Sequence, residues 1–306
     1  MDKVHFPYRS ESHLALLHVV AESGSWEKHG LQVDYDYYIT SEDAHKGVAT
    51  GSVEFVGGNH VSTYAMRTRG DRWLYLGQTV NILNHRLVVK ADSGISKVSD
   101  LKGKVIGSRG THPSLNSWLF LKQQGLDTDQ GAVKLQKIGG ELDPWEAVRD
   151  GKVDGAFATP PGDLFARRAG LKVIEVNSLP MIWFTTISSG LTFVEKHPGI
   201  VDRFLKGIIE GIAYFKKHKE ESIQIIRSKH RAQGDLDSEA AAHLYGGLAK
   251  VLAAKPYATL KAISNVYELA LRQDKAAEQV EPTALWDFHY LRRIDDSGFI
   301  DGLYRS

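Results

Sequence analysis

Residues 86–114 read RLVVKADSGISKVSDLKGKVIGSRGTHPS, and the way this stretch breaks and restarts decides the fold. Arg86–Lys90 has the β-branched, apolar make-up of a buried strand. The polar stretch 91–99 ends it. Lys104–Gly107 then begins a new strand, which passes through a glycine turn into a helix over Ser114–Gln124 closed by Gly125. A strand, a break and a fresh strand–turn–helix mark the point where one layered α/β unit gives way to another.

Upstream, short apolar runs alternate with helical patterns. Val4–Tyr8 and Leu31–Tyr38 are predicted strands, with a helix from about Ser12 to Glu22 between them. Ser41 is the expected N-cap of a helix ending at Gly51, followed by a strand over Val53–Gly57, a helix over Val61–Arg69 and a strand over Trp73–Leu76. Downstream of the break, strands are expected at Val133–Ile138, Val153–Ala158 and Lys172–Glu175, with helices at Pro144–Asp150 and Pro161–Ala169. Trp183–Ile187 returns as a strand, and the chain from Phe193 onward is almost wholly helical. Within it, Ile200–Lys217 places apolar residues at 200, 201, 204, 205, 208, 209, 212 and 215, one face of a helix. The fold class is therefore α/β in two lobes: residues 1–87 with 187–306, and an inserted lobe, 88–186. Two chain crossings, near 85–91 and 184–190, would serve as a hinge able to open and close about a ligand.

Composition narrows the function. The 306 residues carry 38 basic and 37 acidic side chains, a formal charge of +1, so no overall field draws the chain to nucleic acid. There is no cysteine, which excludes disulfides, thiolate metal sites, iron–sulfur clusters and cysteine nucleophiles. No H-x-H, H-x-x-x-H, Walker loop or G-x-G-x-x-G occurs, so neither a metal nor a nucleotide cofactor is expected. The opening MDKVHFPYRS lacks the apolar run of a secretory leader and no later stretch approaches the ~20 apolar residues of a membrane span. A cytoplasmic location is the expectation for the chain as written, and a periplasmic one if Met1 is an engineered start.

In open α/β sheets, ligands sit beyond the carboxyl ends of the strands. That rule selects four loops. Arg109-Gly110-Thr111-His112-Pro113-Ser114 brings hydroxyls and free backbone N–H groups to a helix start, where an anion is favoured; ordinary capping is the plainer reading of the same residues. Gly57-Gly58-Asn59-His60 allows close backbone approach and presents an imidazole. Arg9-Ser10-Glu11-Ser12-His13 offers a cation, hydroxyls and a carboxylate, with a structural ion pair of Arg9 as the alternative. The fourth loop holds Thr159, Pro160, Pro161 and Asp163. Asn81 and Trp183 join the ligand candidates as an amide and an aromatic near the chain crossings. His218 and His230 are expected on a solvated helix face.

The strings AESGSWEKHGLQV (21–33), GSVEFVGGNH (51–60), VVKADSGISKVSDLKGKVIGSRGTHPS (88–114), GKVDGAFATPP (151–161) and FVEKHPGIVDRFLKGI (193–208) resemble the solute-binding components of sulfonate, taurine and thiamine-precursor transporters, over nearly the whole chain. The resemblance implies a type II periplasmic-binding-protein fold and contact of the 109–114 loop with a ligand's acidic group. Enzymes share this fold. The thiamine-pyrimidine synthases use a cysteine-rich iron motif that this chain lacks. An aromatic sulfinate desulfinase is similar around VVAESG (19–24) and HVSTY (60–64); its histidine matches His60, while its cysteine would fall near Ser10 or Glu11.

The expected function is capture of a small, anionic organic molecule in a cleft between the lobes, through Arg9, Ser10, Asn59, His60, Asn81, Arg109, Gly110, Thr111, His112, Ser114, Thr159 and Trp183. An ABC transporter permease would be the partner of an exported form; neither nucleic acid nor membrane insertion is expected. The alternative is a cofactor-independent lyase or hydrolase, with His60 and Glu11 as its acid–base pair.

Overall fold

The computed structural model describes residues 1–58, 60–138, 143–230 and 236–305. They divide into two units, Met1–Ile82 with Pro180–Ser306, and Leu83–Leu179. The chain passes from one unit to the other within two long strands, β4 (Trp73–Leu83) and β10 (Leu179–Gly190).

In the first unit β1 (Asp2–His5) pairs in parallel with β2 (Leu31–Asp34), Val4 opposite Val33. Both strands stop short of the predicted Tyr8 and Tyr38. Pro7 has no N–H to extend the ladder, and only an isolated bridge joins Tyr8 to Tyr38 and to Gly57. β3 (Phe55–Gly57) pairs antiparallel with β10, which also neighbours β4. β4 and β10, at 11 and 12 residues, run more than twice as long as the predicted Trp73–Leu76 and Trp183–Ile187, whereas β3 is shorter than predicted. β4 continues through Gly77 and Gln78: a Cβ on Gly77 would stand 3.3 Å from Ile187 Cδ1 and 3.4 Å from the Pro256 carbonyl, so the glycine admits close packing. Gln78 is buried but saturated: Nε2 donates to the Val80 and Trp183 carbonyls, and Oε1 accepts from the Thr186 hydroxyl.

Helix α1 (Leu14–Glu22) and helix α8 (Pro198–Lys217) pack together on the core. Phe204 of α8 is its centre, stacked on Phe55 at 3.9 Å and 7°, edge-on to Phe6 at 4.9 Å and parallel to Trp26 at 5.7 Å. The helix α2 (Ser41–Thr50) is capped not by Ser41 but by Thr40, whose hydroxyl accepts from the Asp43 N–H at 3.1 Å. α3 (Ser62–Thr68) follows β3. From Leu191 on, the described residues are helical apart from connecting turns, including α7 (Leu191–Lys196), α9 (Lys219–Lys229) and α10 (Ser238–Val251). His230, expected in solvent, is 2% exposed, because its ring packs edge-on 6.4 Å from that of the buried His18. His218 is exposed, as expected.

The second unit holds a five-stranded sheet, β7 (Lys134–Lys137), β6 (Val105–Ser108), β8 (Gly155–Ala158), β5 (Arg86–Val89) and β9 (Lys172–Glu175) in that spatial order. β6 runs parallel to both neighbours, while β5 runs antiparallel to β8 and β9. The amino end of β5 thus lies beside the carboxyl end of β8, with Arg86 opposite Ala158. The helices α4 (Thr111–Gln123), α5 (Pro144–Arg149) and α6 (Gly162–Arg168) cover the sheet. One core of this unit gathers Val88, Ile138, Ala147, Val148, Val153, Ala156, Ala158 and Ala166. No helix among the described residues is long and apolar enough to cross a membrane.

Candidate functional site

In the first unit, the turns after β1 and β3 meet because of a glycine pair. Gly58 sits at φ +125°, and a Cβ there would stand 2.9 Å from Arg9 Cβ and 3.4 Å from His13 Cε1. Arg9 and His13 therefore lie directly over the 57–58 backbone. The Arg9 guanidinium donates to the Tyr38 hydroxyl at 3.2 Å and to the Ile39 carbonyl, and lies over the Tyr38 ring. His13 is buried, with its ring stacked against Phe184 at 6.4 Å and 26°. Phe184 holds φ +58°, a left-handed backbone that costs a bulky residue about 1–3 kcal/mol and clusters at functional sites. Arg9, His13, Tyr38 and Phe184 are thus one wall, cationic and aromatic.

The remaining first-unit candidates divide. Ser10 is exposed, its hydroxyl 2.9 Å from that of Ser12. Glu11 is exposed on a single 3-10 turn, whereas His60 is 7% exposed and its carbonyl accepts from the Tyr75 hydroxyl at 3.4 Å. Asn59 lies outside the described residues. Asn81 is a structural clamp: its Nδ2 donates to the Tyr257 carbonyl and its Oδ1 accepts from the Thr259 N–H. Trp183 is half-buried, edge-on to Phe184.

In the second unit, β6 ends at Ser108 and turns through Arg109 and Gly110 into α4. Gly110 takes φ +80° at the N-cap and offers no side-chain cap to the first turn. Ser108 is 4% exposed, and its buried hydroxyl has no hydrogen-bond partner among the described residues. One and a half turns into α4, Asn116 is 2% exposed, and both its amide oxygen and its amide nitrogen are buried without one. A buried amide left this way costs the desolvation of each group, about 1–3 kcal/mol apiece.

His112, Asn116 and Phe120 recur at four-residue spacing and share one face of α4. Phe120 meets the rings of His85 and Phe157 at 4.6 and 5.1 Å. Burial pushes the imidazoles of His112 and His85 down to about 4, the Arg86 cation adding to the effect on His85, so both are neutral near pH 7. Beside them Arg86 Nε lies 3.6 Å from the fully buried Asp163 carboxylate and 3.2 Å from Glu175, and its Nη1 is buried with no hydrogen-bond partner among the described residues.

Arg109 is half-exposed, its Nη1 3.6 Å from Asp143. Burial holds the Asp143 carboxyl above the usual range, opposed by Arg109. Thr111 is exposed, and Ser114 and Thr159 are half-buried. These residues gather neutral donors and one rim cation at the carboxyl ends of β6 and β8.

A profile of the family described as NMT1/THI5 like matches residues 12–222. The chain belongs to the NMT1/THI5-like family. No curated protein matches it. Among solved structures it is similar to the putative periplasmic sulfonate-binding protein SsuA of Methylobacillus flagellatus KT, at 15% identity and TM-score 0.72, over 99% of this chain and 96% of that one. It is similar to the periplasmic aliphatic sulphonate binding protein SsuA of Escherichia coli at 14% identity and TM-score 0.68, over 93% and 99%. A variant of the desulfurization enzyme DszB, in complex with biphenyl-2-sulfinic acid, matches at 18% identity and TM-score 0.66, over 97% and 99%. At such identities the likeness establishes the fold: this member of the NMT1/THI5-like family has the α/β architecture of the type II binding proteins, with a helical C-terminal part.

Sequence reasoning missed Asn116, His85 and Arg86 as site residues. Asn116 had a signal, its four-residue spacing from His112 on a helix that opens at a glycine turn. His85 and Arg86 had none, because only the antiparallel setting of β5 brings its first residue to the carboxyl end of β8.

Proposed function

We propose that this protein captures a small organic anion (a sulfonate, an aromatic carboxylate or a pyrimidine-like acid) at the carboxyl ends of β6 and β8 in the second unit. The observation that carries the reading is the pair of buried polar side chains, Ser108 and Asn116, with no hydrogen-bond partner among the described residues. They lie at the start of a 13-residue helix whose first N–H groups face the same turn. The Asn116 amide and the Ser108 hydroxyl donate to the acidic group, its charge is spread over neutral dipoles, and Arg109 at the rim attracts it. Membership of the NMT1/THI5-like family and likeness to sulfonate-binding proteins support the ligand class. Outside the inner membrane, the partner of such a protein is a transporter permease.

Thermal denaturation with taurine, hexanesulfonate, benzoate and a carboxypyrimidine tests the reading. At least one is expected to raise the melting temperature, by an amount corresponding to ~2.7 kcal/mol at one hundred times its dissociation constant. Asn116→Leu keeps a similar volume and removes the amide, so affinity is expected to fall at least tenfold, the effect of losing one or two charge-assisted hydrogen bonds. Full ligand response in the Asn116→Leu variant, or none from any of the four acids in the parent, refutes it.

A further inference from the structure

A second constellation lies in the first unit, on residues outside the ligand and acid–base candidates named above. Asp71 Oδ2 lies 2.5 Å from His45 Nδ1, and His45 Nε2 lies 3.1 Å from Ser62 Oγ. The three come from separate elements: His45 from the middle of α2, Ser62 from the first position of α3, and Asp71 from the turn between α3 and β4. His45 is 7% exposed, and its ring packs against that of Trp73 at 4.8 Å and 41°. All three line a cavity of about 450 Å³ with Ser41, Glu42, Lys46, Ala49 and Met66.

We propose that Ser62, His45 and Asp71 form an acyl-transfer site that hydrolyses short-chain carboxylic esters. With a carboxylate on Nδ1, that nitrogen carries the proton and Nε2 is the acceptor, the tautomer a base needs to take the proton of Ser62. The base is also neutral where it must be. Burial lowers its proton affinity, and the Arg9 charge adds to this, while the Asp71 charge and hydrogen bond oppose both; the net shift is downward.

In the first step the Ser62 Oγ–carbonyl carbon bond forms and the hydroxyl proton passes to His45 Nε2. The tetrahedral adduct then collapses, the carbon–alkoxy bond breaks, and His45 returns the proton to the leaving alcohol. Water attacks the acyl group with His45 again as base, which releases the acid and restores the Ser62 hydroxyl. Ester and water become acid and alcohol, with no other reactant. Asp71 is a positioning residue, holding the ring and its tautomer. Ala49 and Met66 offer the acyl chain an apolar surface, and Ser41, whose hydroxyl is 3.3 Å from that of Ser62, is a donor beside the reacting centre. The competing account is a cross-link that ties α2 to α3 and does no chemistry.

The inference stands apart from the anion site of the second unit, so each can fail alone. The full-length protein is incubated with an alkyl fluorophosphonate, and the adduct is mapped by peptide mass. One phosphonyl group on Ser62 is expected. Ser62→Ala is expected to lose the adduct, and with p-nitrophenyl acetate at least a hundredfold of the hydrolysis rate, as is His45→Gln.

Asp71→Asn is expected to slow labelling at least tenfold and to change its pH profile. In the parent the labelling rate falls as the pH drops through the His45 titration, below the ordinary imidazole range. The charges bearing on it are Asp71 and Arg9, with Glu42 and Lys46 lining the same cavity. No adduct on the parent, an adduct on Ser41, or unchanged ester hydrolysis in Ser62→Ala overturns the proposal. Asp71→Asn with an unaltered pH profile assigns Asp71 to the cross-link and overturns its positioning role.

Discussion

Gly211→Ala destabilises the first unit, against the ordinary helix preference. Alanine in place of an interior helix glycine normally stabilises by about 1 kcal/mol. Here α8 lies so close to α1 that a Cβ at 211 would stand 2.6 and 2.8 Å from the Val20 methyls and 2.9 Å from Val20 Cα. The last of these is backbone, so no rotamer relieves it and the helices must separate. One turn earlier, at Gly207, a Cβ would meet Trp26 Cδ1 at 2.4 Å, so the two glycines form one contact stripe. Separation also loosens the Phe204 ring cluster carried by α8. Overpacking of this kind costs about 1–3 kcal/mol, which outweighs the propensity gain. The expected result is a melting temperature several degrees below the parent. Gly211→Val should be worse, leaving little soluble folded protein. Val20→Ala combined with Gly211→Ala should recover part of the loss, since it removes both methyl clashes and leaves the one at Cα. A melting temperature at or above the parent's for Gly211→Ala would show that the helices do not pack this closely.

The second large effect is acid lability of the second unit. His85 and His112 are pushed from the ordinary imidazole value of 6.5 down to about 4. Between those values the unfolded chain binds protons that the folded chain does not, so stability falls as the pH drops from about 6.5 to about 4 and levels off below. At 1.36 kcal/mol per unit, the shift of His85 corresponds to at most roughly 3 kcal/mol. His85→Phe isolates this contribution. Its ring takes the place of the imidazole stacked on Phe157 at 4.7 Å and edge-on to Phe120 at 4.6 Å, and it removes a buried Nε2 that has no hydrogen-bond partner among the described residues. The expected outcome is a variant at least as stable as the parent at pH 7, with the loss between pH 7 and pH 5 reduced by about half. Unfolding midpoints across this range, with hydrogen exchange of the β5 and α4 amides to localise the change, provide the measurement. An undiminished pH dependence in the His85→Phe variant would show that His85 titrates normally.

Much of the architecture was legible in local patterns. The α8 face from Val201 to Phe215 is the buried stripe that its spacing required, and the restart after 91–99 leads into β6 and α4. Composition alone removed thiol and iron–sulfur chemistry. The lengths of β4 and β10 were not legible. β4 runs on through Gly77 and Gln78 because the neighbouring β10 supplies the close approach and the hydrogen bonds that suit them.

The same division runs through the sites. The sequence by itself determined the alternation of strands and helices, the identity of the loops at the strand ends and the chemistry excluded from them, because each depends on residues adjacent along the chain or one helical turn apart. Tertiary structure alone decided which polar groups are buried without partners. It placed Arg86 beside the end of β8, and it set Asp71 against His45, which lies 26 residues away in sequence. The physical reason is that hydrogen-bond satisfaction and burial are properties of packed neighbours. For side chains brought together from different elements, those neighbours exist only once the chain has folded.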